Sequence, residues 1–327
     1  MSNISSIVKV TVTDNTSAIS QAGFNSALIV DFNQTKSIAL VEDATGLTGS
    51  LGEAVSAYLA NGGSEVYIAG SIFNGAEDKD AVKAYLDTLD EHDFYGVIPI
   101  LGVGNEKECA DGVAEFVAGT ERLAVIELNG TVATVTGIAD WNSDRVAVFA
   151  NSDSEYGAIN AAVGGMGFPA TVGSITWGNK NISEVQDSGY SSSDEALLKD
   201  SHINYITTEM GLILTQFGRT TSGSNLDTTR GKDWLSNRVK ENITALLVNS
   251  KKVPFTDKGL ASVSATLAEV GEQAITQDLA TDYLTSVPDY DDIPKNDIAN
   301  RVLNNVVLTV KMATPIETMN IEVSIEL

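Results

Sequence analysis

The chain has 327 residues, 43% hydrophobic and 20% charged, with a formal net charge of −24 and one cysteine. That length supports a large buried core, the acidic excess argues against binding nucleic acid, whose phosphates attract Lys and Arg, and a lone cysteine excludes an intrachain disulfide or a multi-cysteine metal site. No run approaches twenty apolar residues, and "MSNISSIVKV" lacks a basic stretch followed by an apolar one, so neither a membrane span nor a secretion signal is expected.

In chain order, the first element is "SIVKVTVTD", in which Val8, Val10 and Val12 alternate with Lys9, Thr11 and Thr13. This period of two is that of a strand with one buried and one wet face. From Ala27 to Ala162 the runs "SALIVD", "SEVYIAG", "FYGVIPILG", "RLAVIEL" and "RVAVFAN" alternate with helical patterns, which predicts a parallel sheet covered by helices. The runs are almost wholly apolar, as suits strands buried on both faces. Between them Leu51, Val55, Tyr58 and Leu59 keep helical spacing. So do Val82, Tyr85, Leu86 and Leu89, then Cys109, Val113, Phe116 and Val117.

Beyond residue 165 the composition becomes loop-like, in "NKNISEVQDSGYSSSDE". A hairpin is predicted over "INYITTEMGLILTQFGRTTSGSN", with Ile203, Tyr205, Ile213 and Phe217 as core candidates. A helix follows from about Thr229, with Leu235, Val239, Ile243, Leu246 and Leu247 on one stripe. The chain breaks at Pro254 and restarts at Thr256, a good N-cap, with Leu260, Val263, Leu267 and Val270 as the next stripe. An acidic, Pro-containing loop, "TSVPDYDDIPKND", leads to "VLNNVVLTVKMA" and to the last residues, "NIEVSIEL". There Ile321, Val323, Ile325 and Leu327 alternate with Glu322, Ser324 and Glu326. Such a strand needs a partner, and the pattern alone allows one in its own sheet or in another subunit.

Few residues suggest chemistry. Gly102 and Gly104 follow a strand and precede a helix as a dinucleotide fingerprint requires, but Lys107 stands where the third glycine belongs. A tight strand-to-helix turn accounts for them, and a Rossmann-like nucleotide-binding enzyme is the alternative. His92 and His202 lie apart in sequence, at a helix end and at the opening of the hairpin. Cys109 sits on an apolar helix face, as a small core residue does. Asp289, Asp291 and Asp292 lack the order and the closing Glu of a calcium loop. No catalytic residue, cofactor or metal is therefore expected.

The charge is unevenly spread. Between Arg219 and Lys258 lie eight of the twenty basic residues and only four acids, a local net of +4. This is either a solvated helix pair or a basic surface that docks on an acidic partner.

The C-terminal third carries a specific pattern: Gly231, Asp233, Trp234 and Leu235 on a helix, then Pro254, Phe255, Thr256, Asp257 and Gly259 in a turn, closed by "NRVLNNVVLTVKMATPIETMNIEVSIEL". It resembles the core domain of contractile tail sheath proteins, the outer sleeve of bacteriophages and phage-tail-like particles. The resemblance implies an α/β protein of helix-covered mixed sheets whose terminal strands are exchanged between subunits. It implies an N-terminal arm over 1–24, an α/β domain over 25–165, a linker and loop region over 166–200, a tube-facing core domain over 201–312 and a C-terminal arm over 313–327. It further implies no enzyme but a structural subunit that polymerises helically around an inner tube and contracts. Its partners would be other copies of itself, the tail tube protein, and baseplate and terminator proteins, with no nucleic acid and no membrane insertion. It would be assembled in a bacterial cytoplasm and reside in a virion tail or phage-tail-like particle. Val8, Val10, Val12, Ile321, Val323, Ile325 and Leu327 would then be exchange strands, and Arg230, Lys232, Arg238 and Lys240 a basic surface facing the tube. A self-assembling shell or adaptor with swapped arms is a further alternative.

Overall fold

The computed structural model describes residues 23–73, 79–317 and 319. The expected exchange residues Val8, Val10, Val12, Ile321, Val323, Ile325 and Leu327 lie outside that range. The chain runs β1 (Ala27–Asp31), β2 (Lys36–Val41), α1 (Gly49–Ala60), β3 (Val66–Gly70), α2 (Lys79–Asp87), β4 (Gly96–Ile100), α3 (Glu106–Ala118), β5 (Leu123–Asn129), α4 (Val132–Ile138), β6 (Val146–Asn151), α5 (Ile159–Gly167), α6 (Ser192–Asp200), β7 (Asn204–Glu209), β8 (Leu212–Thr215), α7 (Leu226–Asn249), α8 (Asp257–Thr276), β9 (Ala280–Ser286), α9 (Lys295–Asn300) and β10 (Val307–Met312).

The five apolar runs are β1, β3, β4, β5 and β6, and with β7 they pair in parallel. The sheet order is β2-β3-β1-β4-β5-β6-β7-β8, with β2 and β8 antiparallel at the two edges. Strand side chains alternate between two cores, as a pleat requires. Ile29, Val125 and Phe149 face the core that holds Tyr58, Phe168, Trp177 and Trp234. Leu28, Val30, Ile126 and Val148 face the opposite one, with Leu86, Cys109 and Phe116. Burial pushes the Cys109 thiol up to about 11, which suits a packing residue rather than a nucleophile.

Two expectations need correcting. The 166–200 stretch is no free linker, since Phe168, Val172, Trp177, Ile182 and Val185 are buried in the first core and α6 lies within it. The hairpin of β7 and β8 was expected in a separate core domain, yet it closes one end of the large sheet. Its residues Ile203, Tyr205 and Ile206 are buried there.

Glu127 on β5 shows how one strand positions a helix. Its carboxylate accepts from Gly157 N–H and Ile159 N–H, both at 2.7 Å, at the N-terminal end of α5. Burial pushes its pKa from 4.5 up to about 7 despite those donors. Between the two values the folded chain holds a proton that the unfolded chain has lost, so stability falls as pH rises through that window. The loss is on the order of 3 kcal/mol by linkage. Urea titrations at pH 4.5 and 7.5 should show it, and the Glu127→Gln chain should have a flatter profile.

Candidate assembly interface

The residues 231–235 dock α7 against the rest of the molecule. At Gly231 an added Cβ would fall 2.5 Å from Leu279 Cδ1 and 2.8 Å from Met312 Cε, so α7 packs closely here against the ends of two flexible side chains, which any larger residue would push aside. Two positions on, the buried Asp233 accepts from Tyr95 Oη at 2.6 Å and from both terminal guanidinium nitrogens of Arg145, one of them at 2.7 Å. Tyr95 precedes β4 and Arg145 precedes β6, so Asp233 fastens α7 across the N-terminal ends of the parallel strands. Trp234 is buried beside it, with the Arg238 guanidinium 5.7 Å from its ring. Leu235 packs, half-buried, against the same core.

Arg230 overturns part of the expected basic surface. It is 2% exposed, and its guanidinium donates to the carbonyls of Gly167 (2.9 Å), Phe24 (2.8 Å), Phe168 (2.5 Å) and Ala170 (2.8 Å). These include the last carbonyls of α5, where the helix dipole favours a cation. Burial pushes the guanidinium down to about 10, still protonated at neutral pH. Arg230 is thus an internal clamp between α5, α7 and the chain entering at Phe24. Lys232 and Lys240 are exposed, but Lys240 pairs with Glu121 at 2.8 Å and Arg238 with Glu241. Lys251, Lys252 and Lys258 stand exposed around the turn between α7 and α8.

That turn explains the second half of the motif. Pro254 C=O accepts from Thr256 N–H at 2.9 Å, and Thr256 Oγ1 accepts from Gly259 N–H at 3.3 Å as the N-cap of α8. A side chain at Gly259 would collide with the Pro254 carbonyl. Asp257 adds a carboxylate to the first turn, where the dipole favours it. Phe255 is left half-buried at the mouth of a groove.

The groove and a small sheet form the open face of this unit. β9 and β10 pair antiparallel as a two-stranded sheet, in register from Val307 opposite Ser286 to Val310 opposite Tyr283. Leu308, Val310 and Met312 turn inward onto the core, while Val307, Thr309 and Lys311 turn out. Neither outer edge has a strand partner among the described residues. Beside β10 lies a groove of about 480 Å³, lined by Ile243 and Leu247 of α7, Val263 of α8, Phe255 of the turn, and Val306 and Leu308. Its apolar walls are incompletely covered, Leu247 being 59% exposed; outside the groove, Leu284 on the outer face of β9 is 68% exposed. Single exposed apolar residues are ordinary, but a continuous apolar groove beside an unpaired strand edge is a candidate interaction site.

The nucleotide loop offers no comparable opening. β1 is followed by a turn into β2, which pairs with β3 rather than with β1, so β1 does not run directly into a helix N-terminus. After β4 the N–H of Val103 donates to Asn33 Oδ1 and that of Gly104 to Glu106 Oε1, both at 2.9 Å. A carboxylate already holds the place an anion would take. Among the described residues no group of three or more His, Cys, Asp or Glu is placed to hold a metal, and no helix is long and apolar enough to cross a membrane.

Comparisons with known proteins bear on the fold and on the α7–α8 region. The family model described as E217 tail sheath protein gp31-like, C-terminal domain, matches residues 226–282, which span α7, α8 and the start of β9. No curated protein matches the chain. A chain in the cryo-EM structure of the anti-feeding prophage (AFP) baseplate superposes with a TM-score of 0.68 at 14% identity, covering 98% of this chain and 99% of that one. A chain of the PVC sheath complex, an extracellular contractile injection system in its contracted state, gives 0.68 at 13% identity, with 97% and 96% covered. The sheath tail protein of Listeria innocua gives 0.63 at 7% identity, with 92% and 94% covered. In fold over nearly its whole length, and in sequence over residues 226–282, the chain is similar to contractile tail sheath proteins.

Proposed function

We propose that the chain is a structural, non-enzymatic subunit of a contractile sheath, which polymerises helically around an inner tube and contracts to drive that tube outward. The observation that carries this is the unpaired edge of β10 beside an apolar groove walled by α7 and α8, the two helices within the sheath family match. A strand from another copy, "SIVKVTVTD" or "NIEVSIEL", adds to that edge. Main-chain hydrogen bonds supply affinity, and alternate side chains fill the groove and fix the register. Eight residues at about 3.3 Å each reach about 26 Å, enough to pass from one packed subunit to the next. Contraction then adds a modest gain in buried surface per subunit across a cooperative array.

The experiment is deletion of residues 320–327. The truncated chain should keep the unfolding midpoint of the full chain and stay monomeric where the full chain forms tubes in negative-stain micrographs. A truncated chain that unfolds earlier, or that still forms tubes, contradicts strand donation.

Lys232 and Lys240, with the lysines of the α7–α8 turn added and without the buried Arg230 or Arg238, whose side chain is only 13% exposed and paired with Glu241, make up the surface we assign to an acidic tube. Exposed pairs worth under ~1 kcal/mol each can release on contraction, as a dry apolar seam could not. The Lys232→Glu/Lys240→Glu chain should polymerise with itself but co-assemble poorly on purified tubes, in a pelleting assay. Equal pelleting would remove these residues from the tube contact. Baseplate and terminator proteins complete the partners of this reading, in a virion tail or phage-tail-like particle assembled in a bacterial cytoplasm.

A further inference from the structure

The path of the chain after β10 leads away from the groove. Ala313 N–H donates to Leu279 C=O at 2.9 Å, which extends the pairing past the first residue of β9. Five residues beyond Met312, Glu317 is held at two points. Its carbonyl accepts from Asn179 Nδ2 at 3.1 Å, and its carboxylate lies 3.8 Å from an Arg219 guanidinium nitrogen. Asn179 is itself tied down, its N–H donating to Thr215 C=O of β8 at 2.7 Å. The Asp227 carboxylate is near enough to Glu317 to feel its charge, which places this contact at the first turn of α7. The groove lies along the second half of the same helix, around Ile243. At 1.5 Å per residue those two points are about 24 Å apart.

A different course is open to the same residues. Pro315 has the fixed φ that suits the second position of a type I or II turn. A reversal there would lay the residues from Ile316 onward along the free edge of β10 in their own chain. The apolar alternation that suits a neighbour's groove would serve equally well at home, because the edge and groove are identical in every copy. A subunit that covered its own edge would have nothing to offer or accept.

We propose that Asn179 and Arg219 form a catch for Glu317 that keeps the C-terminal segment off the β10 edge of its own chain, leaving that edge for a strand from another copy. This rests on the strand-donation reading above. The catch is a positioning device, and it acts before assembly rather than in the finished lattice. One anchor is a neutral hydrogen bond to a backbone carbonyl. The other is a partly exposed ion pair, with about a third of each side chain accessible, whose strength is modest and salt-dependent. The hold is therefore strong enough to bias the direction of the segment and weak enough to yield once a neighbour engages it.

The test uses the full-length chain carrying Asn179→Gly and Arg219→Gln together. Glycine keeps the left-handed backbone of residue 179, whose φ is 58°. Two readouts apply: amide exchange over residues 307–312 in dilute monomer, and the rate of polymer growth by light scattering. The released chain should cover its own edge, slowing exchange at 307–312 about tenfold and slowing growth by a similar factor. Deleting 320–327 in the same background should restore fast exchange at 307–312. The Arg219→Gln chain alone leaves Asn179 in place and should change both readouts in the same direction by a smaller factor. Unchanged exchange and growth in both variants would overturn the catch while leaving strand donation intact. Tubes formed by the truncated wild-type chain would instead overturn strand donation itself.

Discussion

Arg230→Met should destabilise the folded chain by roughly 3–5 kcal/mol, the scale on which a buried charge network fails when one member is removed. The carbonyls of Gly167, Phe168, Ala170 and Phe24 all point at one guanidinium. Methionine fills similar space and donates nothing, so buried acceptors are left bare at about 1–3 kcal/mol each before relaxation. Water entry and a shift of the α5 end recover part of that. Arg230→Lys should lose less, because an ammonium keeps the charge but cannot span the acceptors as a planar fork does. Guanidinium denaturation of the three chains gives the comparison. A Met variant within 1 kcal/mol of wild type would mean that the carbonyls find other donors. The effect bears on function because Phe24 is the point at which the N-terminal segment enters the fold. The clamp gives that segment a fixed root on α7, the same helix that walls the groove.

The identity of Arg230 as a clamp was hidden in the sequence, and the reason is physical. An arginine four residues before a buried tryptophan, in a stretch with a +4 excess, reads as surface charge. What buries it is the approach of the α5 C-terminus, a contact more than sixty residues away in the chain. The large sheet was legible because its strands are local apolar runs and its helices keep their spacing. Val82, Leu86, Cys109, Val113, Phe116 and Val117 are all buried where the period places them. β2 and β9 were not legible. Both are half-exposed edge strands: "KSIALV" has a short apolar run without alternation, its exposed positions being Ser37, Ala39 and Leu40, and "ATDYLTS" has polar residues on the wet face and no apolar run to announce it. For β9 a signal was present in Tyr283 and Thr285, alternate inward positions that pack on α8, where Tyr283 Oη donates to Glu272 at 2.8 Å and the Thr285 hydroxyl meets that of Ser264 at 3.2 Å. The 231–235 and 254–259 motifs could be found by resemblance, but the partners that give them meaning, Arg145, Tyr95 and Met312, lie in other parts of the chain.

Asp233→Ala is expected to rival the loss at Arg230, by roughly 3–5 kcal/mol, and to abolish assembly with it. The substitution strands two groups at once. Arg145 keeps its charge at a half-buried position with its carboxylate gone, and the Tyr95 hydroxyl is left buried without its acceptor. Burial, and then the adjoining carboxylate, hold the Tyr95 phenol well above its ordinary pKa, so it remains a donor throughout the working pH range. A double-mutant cycle separates pairing from packing. Tyr95→Phe alone should cost about 1 kcal/mol, since the carboxylate keeps both guanidinium bonds. Arg145→Met combined with Asp233→Leu should be less destabilising than Asp233→Ala alone, because no charge is left unpaired and the volume is kept. If instead the costs of Arg145→Met and Asp233→Ala simply add, the pair is not coupled and α7 is held by packing alone. The assembly readout follows from geometry. Asp233 sits one residue from Trp234 and fixes the angle at which α7 leaves the sheet, and Ile243 and Leu247 farther along that helix are one wall of the groove. A subunit that folds around a displaced α7 keeps its large sheet but loses the groove, and should remain monomeric at concentrations where the wild-type chain polymerises.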